Sequence, residues 1–214
     1  MPLTDAQKLI DGVFCAYGEL TTYQDDGSVS IRAKDEGALP RTTFETRFLR
    51  PSYFRFKFAS PHPHAPLSHV VTTCVCGFDG DAAYLWTKHY EDQPRAQTYE
   101  SLMMAVAGAT GISSGSAHTI AQLLLEDFDR PGLLSLENAK IGDEEAIEGT
   151  VCQSVHGKLA RADANITLFI DPDTKLVHQL ITRFANLTSI EVRRNIRLNE
   201  PLDKAAFSRP NGEI

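Results

Sequence analysis

The segment 111–115 is the first candidate for chemistry, because it reads Gly-Ile-Ser-Ser-Gly. This is the G-x-S-x-G pattern of a nucleophile elbow, in which the serine stands on a sharp turn between a buried strand and a helix. A helix is predicted after the pattern, but residues 102–106 before it also favour a helix over a strand. Histidines and aspartates follow downstream, which supplies residue types for a catalytic triad but not its geometry. We predict a flexible connection between two helices, and a serine hydrolase that uses Ser113 is an alternative.

A second group of candidates is the histidine-containing loop at 60–69, where His62 and His64 alternate with prolines and His69 follows. Metal ligands must converge on one centre at about 2 Å. Extended or polyproline backbone does not turn residues two apart toward the same point. The glycines at 108, 111 and 115 lack the Gly-Lys-Ser/Thr sequence and the preceding strand of a phosphate-binding loop. We therefore predict no metal site and no cofactor.

Composition excludes several classes of protein. The 214 residues are 42% hydrophobic and 23% charged, which is enough apolar mass for a folded core. The formal charge is −7, and no basic cluster is present, so nucleic acid is not the expected partner. The longest apolar run, 102–112, is shorter than the roughly 20 residues that span a bilayer. Residues 1–5 do not resemble an export signal. We read the chain as one domain over 1–214.

Period-two alternation predicts most of the chain as strands. Phe54, Phe56 and Phe58 alternate with polar neighbours and form the clearest strand pattern, and residues 42–49 alternate in the same way. Turns are predicted at 25–27, 79–81, 143–145 and 171–174, and the pair Arg193-Arg194 is interpreted as the solvated face of a strand. Further strands are predicted over about 70–78, 82–89, 134–142, 146–157, 164–170, 176–186 and 188–198.

Helices are predicted at three places: after Thr4 or Asp5 up to Gly18, and over 99–106 and 116–128. A short helical turn ends at Phe207. Because short turns join consecutive strands, the strands are antiparallel, and an alternating α/β fold is disfavoured. We predict an α+β fold with one strongly curved sheet and helices on its concave side.

Several segments in this order resemble the outer-membrane lipoprotein carriers and their lipid-binding relatives. They are the N-terminal helix, residues 48–56 (Phe-Leu-Arg-Pro-Ser-Tyr-Phe-Arg-Phe), the turn before the strand that holds Trp86, the turn at 171–176, and the terminal 196–202 with Phe207. The resemblance implies an unclosed antiparallel half-barrel wrapped around a helical lid, here about 98–128. It also implies that Arg50 holds the lid. The helical insert at 98–128 departs from the best-known carriers, and its residues 107–119 look like a subgroup of uncharacterised exported proteins.

The resemblance implies a non-catalytic function: binding or carriage of a lipid or lipoprotein acyl group in an apolar hollow between sheet and lid. The residues expected to line this hollow are Phe48, Phe54, Phe56, Phe58, Leu85, Trp86, Met103 and Met104. The expected partner is a lipid or an acylated protein, with another envelope protein as a further candidate. An interaction or sensor domain with a closed core is a second alternative. The expected location is the periplasm or cell envelope if an export signal has been removed, and the cytoplasm otherwise. The pairing of Cys15, Cys74, Cys76 and Cys152 stays open.

Overall fold

A computed structural model describes residues 3–34, 37–62, 67, 69–90, 92–126, 128, 135–159 and 162–210. The helices are α1 (Asp5–Glu19), α2 (Leu102–Thr110) and α3 (Ser116–Leu124), and a 3-10 helix spans Lys204–Phe207. The strands are β1 (Thr22–Ala33), β2 (Gly37–Ala38), β3 (Thr42–Leu49), β4 (Tyr53–Pro61), β5 (Val71–Phe78), β6 (Ala83–His89), β7 (Arg95–Tyr99), β8 (Leu136–Ile147), β9 (Thr150–Leu159), β10 (Ala164–Ile170), β11 (Val177–Arg183) and β12 (Leu187–Leu198).

All strands belong to one antiparallel sheet that does not close. Its order is β7-β6-β5-β4-β3-β1-β12-β11-β10-β9-β8, and β2 pairs only with β1. The long β1 and β12 pair at the centre, so the first and last parts of the chain meet there. Three helices complete an α+β unclosed half-barrel, as the sequence predicted. We call the face that the helices cover the inner face, and the opposite one the outer face.

Side-chain alternation separates the two faces. In β3 and β4 every second residue is buried, and cross-strand pairing places Phe44 opposite Phe58 and Phe48 opposite Phe54. Because residues two apart on a strand share a face, these phenylalanines all point inward. The outer face carries separate small clusters, one of which consists of Val75, Tyr84 and Trp86.

The three helices cover different parts of the inner face. The α1 helix begins where the Thr4 hydroxyl accepts from the backbone N–H of Gln7 at 3.2 Å, and it packs against β8 and α3. The α2 helix begins at Ser101, whose hydroxyl accepts from the N–H of Met104, and it packs on β5, β6 and β7. The predicted lid segment, about 98–128, contains both α2 and α3, and we call these two helices the lid.

Two predicted turns and one missed strand are corrected by the structure. Residues 25–27 lie inside β1, with a register shift between Gln24 and Asp26, and residues 143–145 lie inside β8. In both places the hydrogen bonds to a neighbouring strand outweigh the local preference of Asp and Gly for turns. The edge strand β7 was not predicted, because its mostly exposed side chains leave no inward-outward alternation.

Candidate functional site

Five phenylalanines form an apolar strip on the inner face. The aromatic strip comprises Phe44, Phe48, Phe54, Phe56 and Phe58, each at most 3% exposed. Phe44 and Phe56 stack with ring centroids 5.3 Å apart, and Phe56 and Phe58 are tilted neighbours at 6.0 Å. The strip therefore joins β3 to β4 as one apolar surface.

The strip extends across β5 to β6 through smaller residues. Phe56 pairs with Cys76, and Cys76 pairs in turn with Leu85. Burial raises the pKa of the Cys74 thiol to about 12, and it raises that of Cys76 even further. Both thiols are free and protonated at neutral pH, so this part of the inner face is uncharged.

The α2 helix covers this surface with small side chains. Its buried residues are Ala105, Val106 and Ala109. At Gly108 a Cβ atom would lie 3.3 Å from Leu85 Cδ2 and 3.1 Å from the hydroxyl of Tyr99, so helix and sheet approach closely there. The α2 helix therefore covers β5 and β6 with little side-chain area of its own, whereas α3 buries Ile120, Leu123 and Leu124.

Three of the residues expected to line the hollow lie elsewhere. Trp86 packs with Val75 and Tyr84 on the outer face, because it follows the inward-facing Leu85 directly in β6. Met103 and Met104 are 51% and 46% exposed, since they occupy the side of α2 that faces away from the sheet. The inner face thus holds Phe48, Phe54, Phe56, Phe58 and Leu85 of the expected set.

Arg50 joins the sheet to the helices. Its Nε donates to the carbonyl oxygen of Leu20 at 2.8 Å, and one terminal nitrogen donates to that of Tyr17 at 3.2 Å. The other terminal nitrogen forms an ion pair at 2.8 Å with Glu126, which follows α3. One guanidinium therefore contacts both the end of α1 and the end of the lid.

A buried charged network lies beside the strip and was missed by sequence reasoning. Arg193 donates to Asp25 Oδ2 at 2.6 Å and to the carboxylate of Glu191, and its guanidinium lies 4.9 Å from the ring centroid of Phe44. Tyr23 donates its hydroxyl to the same Asp25 oxygen at 2.7 Å. The side chains of Arg193, Asp25 and Glu191 are at most 5% exposed.

Burial and mutual attraction act against each other in this network. Burial raises the pKa of Glu191 more than the neighbouring Arg193 lowers it. Burial lowers the pKa of Arg193, but Glu191 and Asp25 raise it by more, so the guanidinium stays charged. Burial also raises the pKa of Tyr17, on α1, to about 12. Attraction between opposite charges holds the network together. The network reaches α1 through Tyr17 and α3 through the Thr119 hydroxyl, which faces Glu191.

Ser113 does not occupy a nucleophile elbow. Its backbone N–H donates to Ala109, so it continues the turn that ends α2 and follows no strand. The side chain is fully buried, donates to the carbonyl of Thr110 at 3.2 Å and accepts from the N–H of Ala117 at 3.3 Å. The geometry shows a structural serine between two helices.

The loop histidines cannot be placed as a set. His64 lies outside the described residues, whereas His62 and His69 are described. Within the described ranges, no group of three or more His, Cys, Asp or Glu side chains is arranged to hold a metal ion.

An open groove of about 630 Å³ lies against the other side of the same strands. Its polar lining belongs to outer-face positions of β1, β3, β4 and β12, including Asp26, Glu45, Arg47, Lys57 and Arg194. Oppositely charged side chains are interspersed there, as in the bond between Arg194 and Glu148 at 2.7 Å. Asp25, Phe44, Thr46 and Phe58 also line it, so the groove borders the aromatic strip.

Comparison with known proteins places the fold. No protein-family model matches the chain, and no curated protein matches it in sequence. The crystal structure of LprF from Mycobacterium bovis is similar over 99% of both chains, with a TM-score of 0.58 and 17% identity. Lipoprotein LppX from Mycobacterium tuberculosis is similar over 94% of this chain and 99% of its own, with a TM-score of 0.52 and 15% identity.

The chain shares the fold of LprF and LppX. The likeness to LprF and LppX extends over nearly the whole length of each protein, so the half-barrel and its helices are shared as a unit. The fold that the sequence resemblance implied is therefore confirmed. In the part of the chain that the structure describes, no helix is long and apolar enough to cross a membrane.

Proposed function

We propose that this protein binds the acyl chain of a lipid or lipoprotein between its inner face and its lid, without catalysis. The observation that carries the proposal is the aromatic strip, an apolar surface on the inner face of β3 and β4. Phe48, Phe54, Phe56, Phe58 and Leu85 would line the hollow when the lid opens.

The energetics of the cover support a reversible opening. Each 200 Å² of apolar surface removed from water stabilises by about 5 kcal/mol at roughly 25 cal/mol per Å². An acyl chain that replaces the lid over the strip would restore this burial. The polar clamp of Arg50 lies at the margin of the lid, so the lid can part from the strip while the end of α1 stays attached.

The site of action proposed is the cell envelope, with a lipid, an acylated protein or another envelope protein as partner. The support is the fold shared with LppX, which is itself described as a lipoprotein. The alternative of a serine hydrolase receives no support from the buried, hydrogen-bonded Ser113. The alternative of an interaction domain with a permanently closed core is the one that experiment must separate from acyl binding.

The chain carries its own reporters for this test. Cys74 and Cys76 lie on the inner face, Cys152 is buried in an outer-face cluster, and Cys15 is exposed on α1. A small apolar maleimide should label Cys15 at once and reach Cys76 only when the lid opens. Fatty-acid ligands should slow the labelling of Cys74 and Cys76 while leaving Cys152 unchanged.

Native mass spectrometry of the purified protein, followed by organic extraction, identifies any acyl species that copurifies. A bound species together with ligand protection confined to Cys74 and Cys76 supports the proposal. If no acyl ligand binds and labelling of all three buried thiols follows global unfolding alone, the closed-core interaction domain is the correct reading.

A further inference from the structure

Two polar side chains interrupt the aromatic strip at its centre. Thr46 lies on the same face of β3 as Phe44 and Phe48, and it pairs with Phe56 on β4. On its other side it pairs with Asp25 of β1. Thr46 is 1% exposed and the Asp25 side chain is completely buried. A polar pair therefore stands within the surface that the acyl chain would contact.

This pair has unused hydrogen-bonding capacity. Asp25 Oδ2 accepts from both Tyr23 and Arg193, but Asp25 Oδ1 has no partner among the described residues. The hydroxyl of Thr46 likewise has none. Buried polar atoms in folded proteins are almost always paired, so two unpaired atoms on adjacent strands need an explanation. A hydroxyl group can donate to Asp25 Oδ1 and accept from Thr46 Oγ1 at the same time.

The surrounding charges decide which ligand head group fits. Among the described residues, the guanidinium of the network is that of Arg193, and it already binds the carboxylates of Asp25 and Glu191. A ligand carboxylate at this position would face Asp25 with no cation left to neutralise it, and burial strengthens such repulsion. A neutral hydroxyl meets no such penalty.

Resting on the acyl-binding function proposed above, we propose that Asp25 and Thr46 form a head-group subsite for a neutral, hydroxyl-bearing acyl lipid. The acyl chain lies along Phe48, Phe54 and Phe56, and the hydroxyl bridges the two polar side chains. Thr119 of α3 faces Glu191 of the same network, so lid opening also uncovers this subsite.

The experiment compares a monoacylglycerol with the free fatty acid of the same chain length at pH 7.5, using the full chain and calorimetric titration. We expect the wild-type protein to bind the monoacylglycerol at least about ten-fold more tightly, as one hydrogen bond to a charged group allows. Thr46→Val should lower monoacylglycerol affinity by about five- to ten-fold and leave fatty-acid affinity unchanged.

Thr42→Val is the matched control, because Thr42 lies on the same face of the same strand but is already bonded to Ser60 at 3.1 Å. It should alter neither affinity. Thr46→Val should also unfold at an equal or higher temperature than wild type without ligand, since it removes an unpaired buried hydroxyl. A clear loss of stability would overturn the subsite by showing that the fold itself uses the hydroxyl.

The two proposals fail in different ways. Equal affinity for the monoacylglycerol and the fatty acid, unchanged in Thr46→Val, overturns the subsite and leaves acyl binding intact. No binding of either ligand by the wild-type protein overturns acyl binding, and the subsite falls with it.

Discussion

Replacement of Arg50 should release the end of α1 and the lid together. Arg50→Ala removes two hydrogen bonds to the carbonyls of Tyr17 and Leu20 and one ion pair to Glu126. These carbonyls belong to the C-terminal end of α1, where the helix offers no N–H partners of its own and a nearby positive charge is favourable. The variant leaves them without their donor.

The magnitude follows from the exposure of each contact. The Arg50 side chain is 23% exposed and that of Glu126 is 66% exposed, so the ion pair contributes only about 0.5 kcal/mol. The bonds to the helix carbonyls involve a charged donor at 2.8 and 3.2 Å, and we expect about 2 kcal/mol from them together. Arg50→Ala should therefore cost about 2.5 kcal/mol and Glu126→Ala about 0.5 kcal/mol.

Hydrogen exchange measured by mass spectrometry locates the effect. A loss of 2 kcal/mol corresponds to roughly thirty-fold faster exchange wherever local opening governs the amides, so residues 16–20 and 118–124 should exchange faster in Arg50→Ala. Arg50→Lys keeps the charge but cannot bridge two carbonyls, and it should resemble Arg50→Ala. An equal loss of stability in Glu126→Ala would refute the reasoning, because it would assign the clamp to the ion pair.

Three further substitutions test other parts of the fold by urea denaturation. Gly27→Ala places a Cβ atom 2.3 Å from both Phe44 Cζ and the Val192 carbonyl, and should cost about 3 kcal/mol, whereas Gly18→Ala meets nothing within 4 Å and should stabilise by about 0.5 kcal/mol. Equal changes in the free energy of unfolding for Gly27→Ala and Gly18→Ala would contradict the close packing around Gly27 in β1. Thr4→Ala should lower the free energy of unfolding by about 1 kcal/mol through the lost helix cap. An unchanged free energy would show that this cap does not stabilise α1. Burial raises the pKa of Asp171, but the N–H groups of residues 173 and 174 and the Thr174 hydroxyl lower it by more. The ionised Asp171 carboxylate therefore stabilises the fold above the unfolded pKa of about 3.9, and this stabilisation is lost as pH falls below that value. Asp171→Asn should be less stable than wild type at pH 7 and equally stable in acid.

The fold was predictable because its main elements carry local patterns. The alternating phenylalanines of β4 and the alternating residues of β3 predicted both strands, and the capped periodic segment after Thr4 predicted α1. The order of the segments then favoured an unclosed half-barrel over an alternating α/β fold. The edge strand β7 carries no such pattern, and its pairing with β6 alone defines it.

The charged network could not be found from local patterns. Asp25 and Arg193 are 168 positions apart. The sequence predicted a turn at Asp25 and a solvated strand face at Arg193. One signal was available: Arg193 and Arg194 are neighbours on a strand, so one of the two had to face inward. The structure places Arg193 inside with Asp25 and leaves Arg194 outside with Glu148.

The distribution of contacts over the inner face distinguishes a cover from a permanent core. A core that served stability alone would be at least as stable with apolar residues in place of Asp25 and Thr46, since buried charges and unpaired hydroxyls cost more than they return. It would also place large side chains of α2 against β5 and β6, where the structure buries two alanines and one valine. The firm polar contacts of Arg50 hold the end of α1, and its contact with the lid is the exposed ion pair with Glu126. Small side chains of α2 over β5 and β6 and a weak ion pair at the end of α3 would let a ligand displace the lid, while the bonds of Arg50 to α1 keep the sheet and the first helix together.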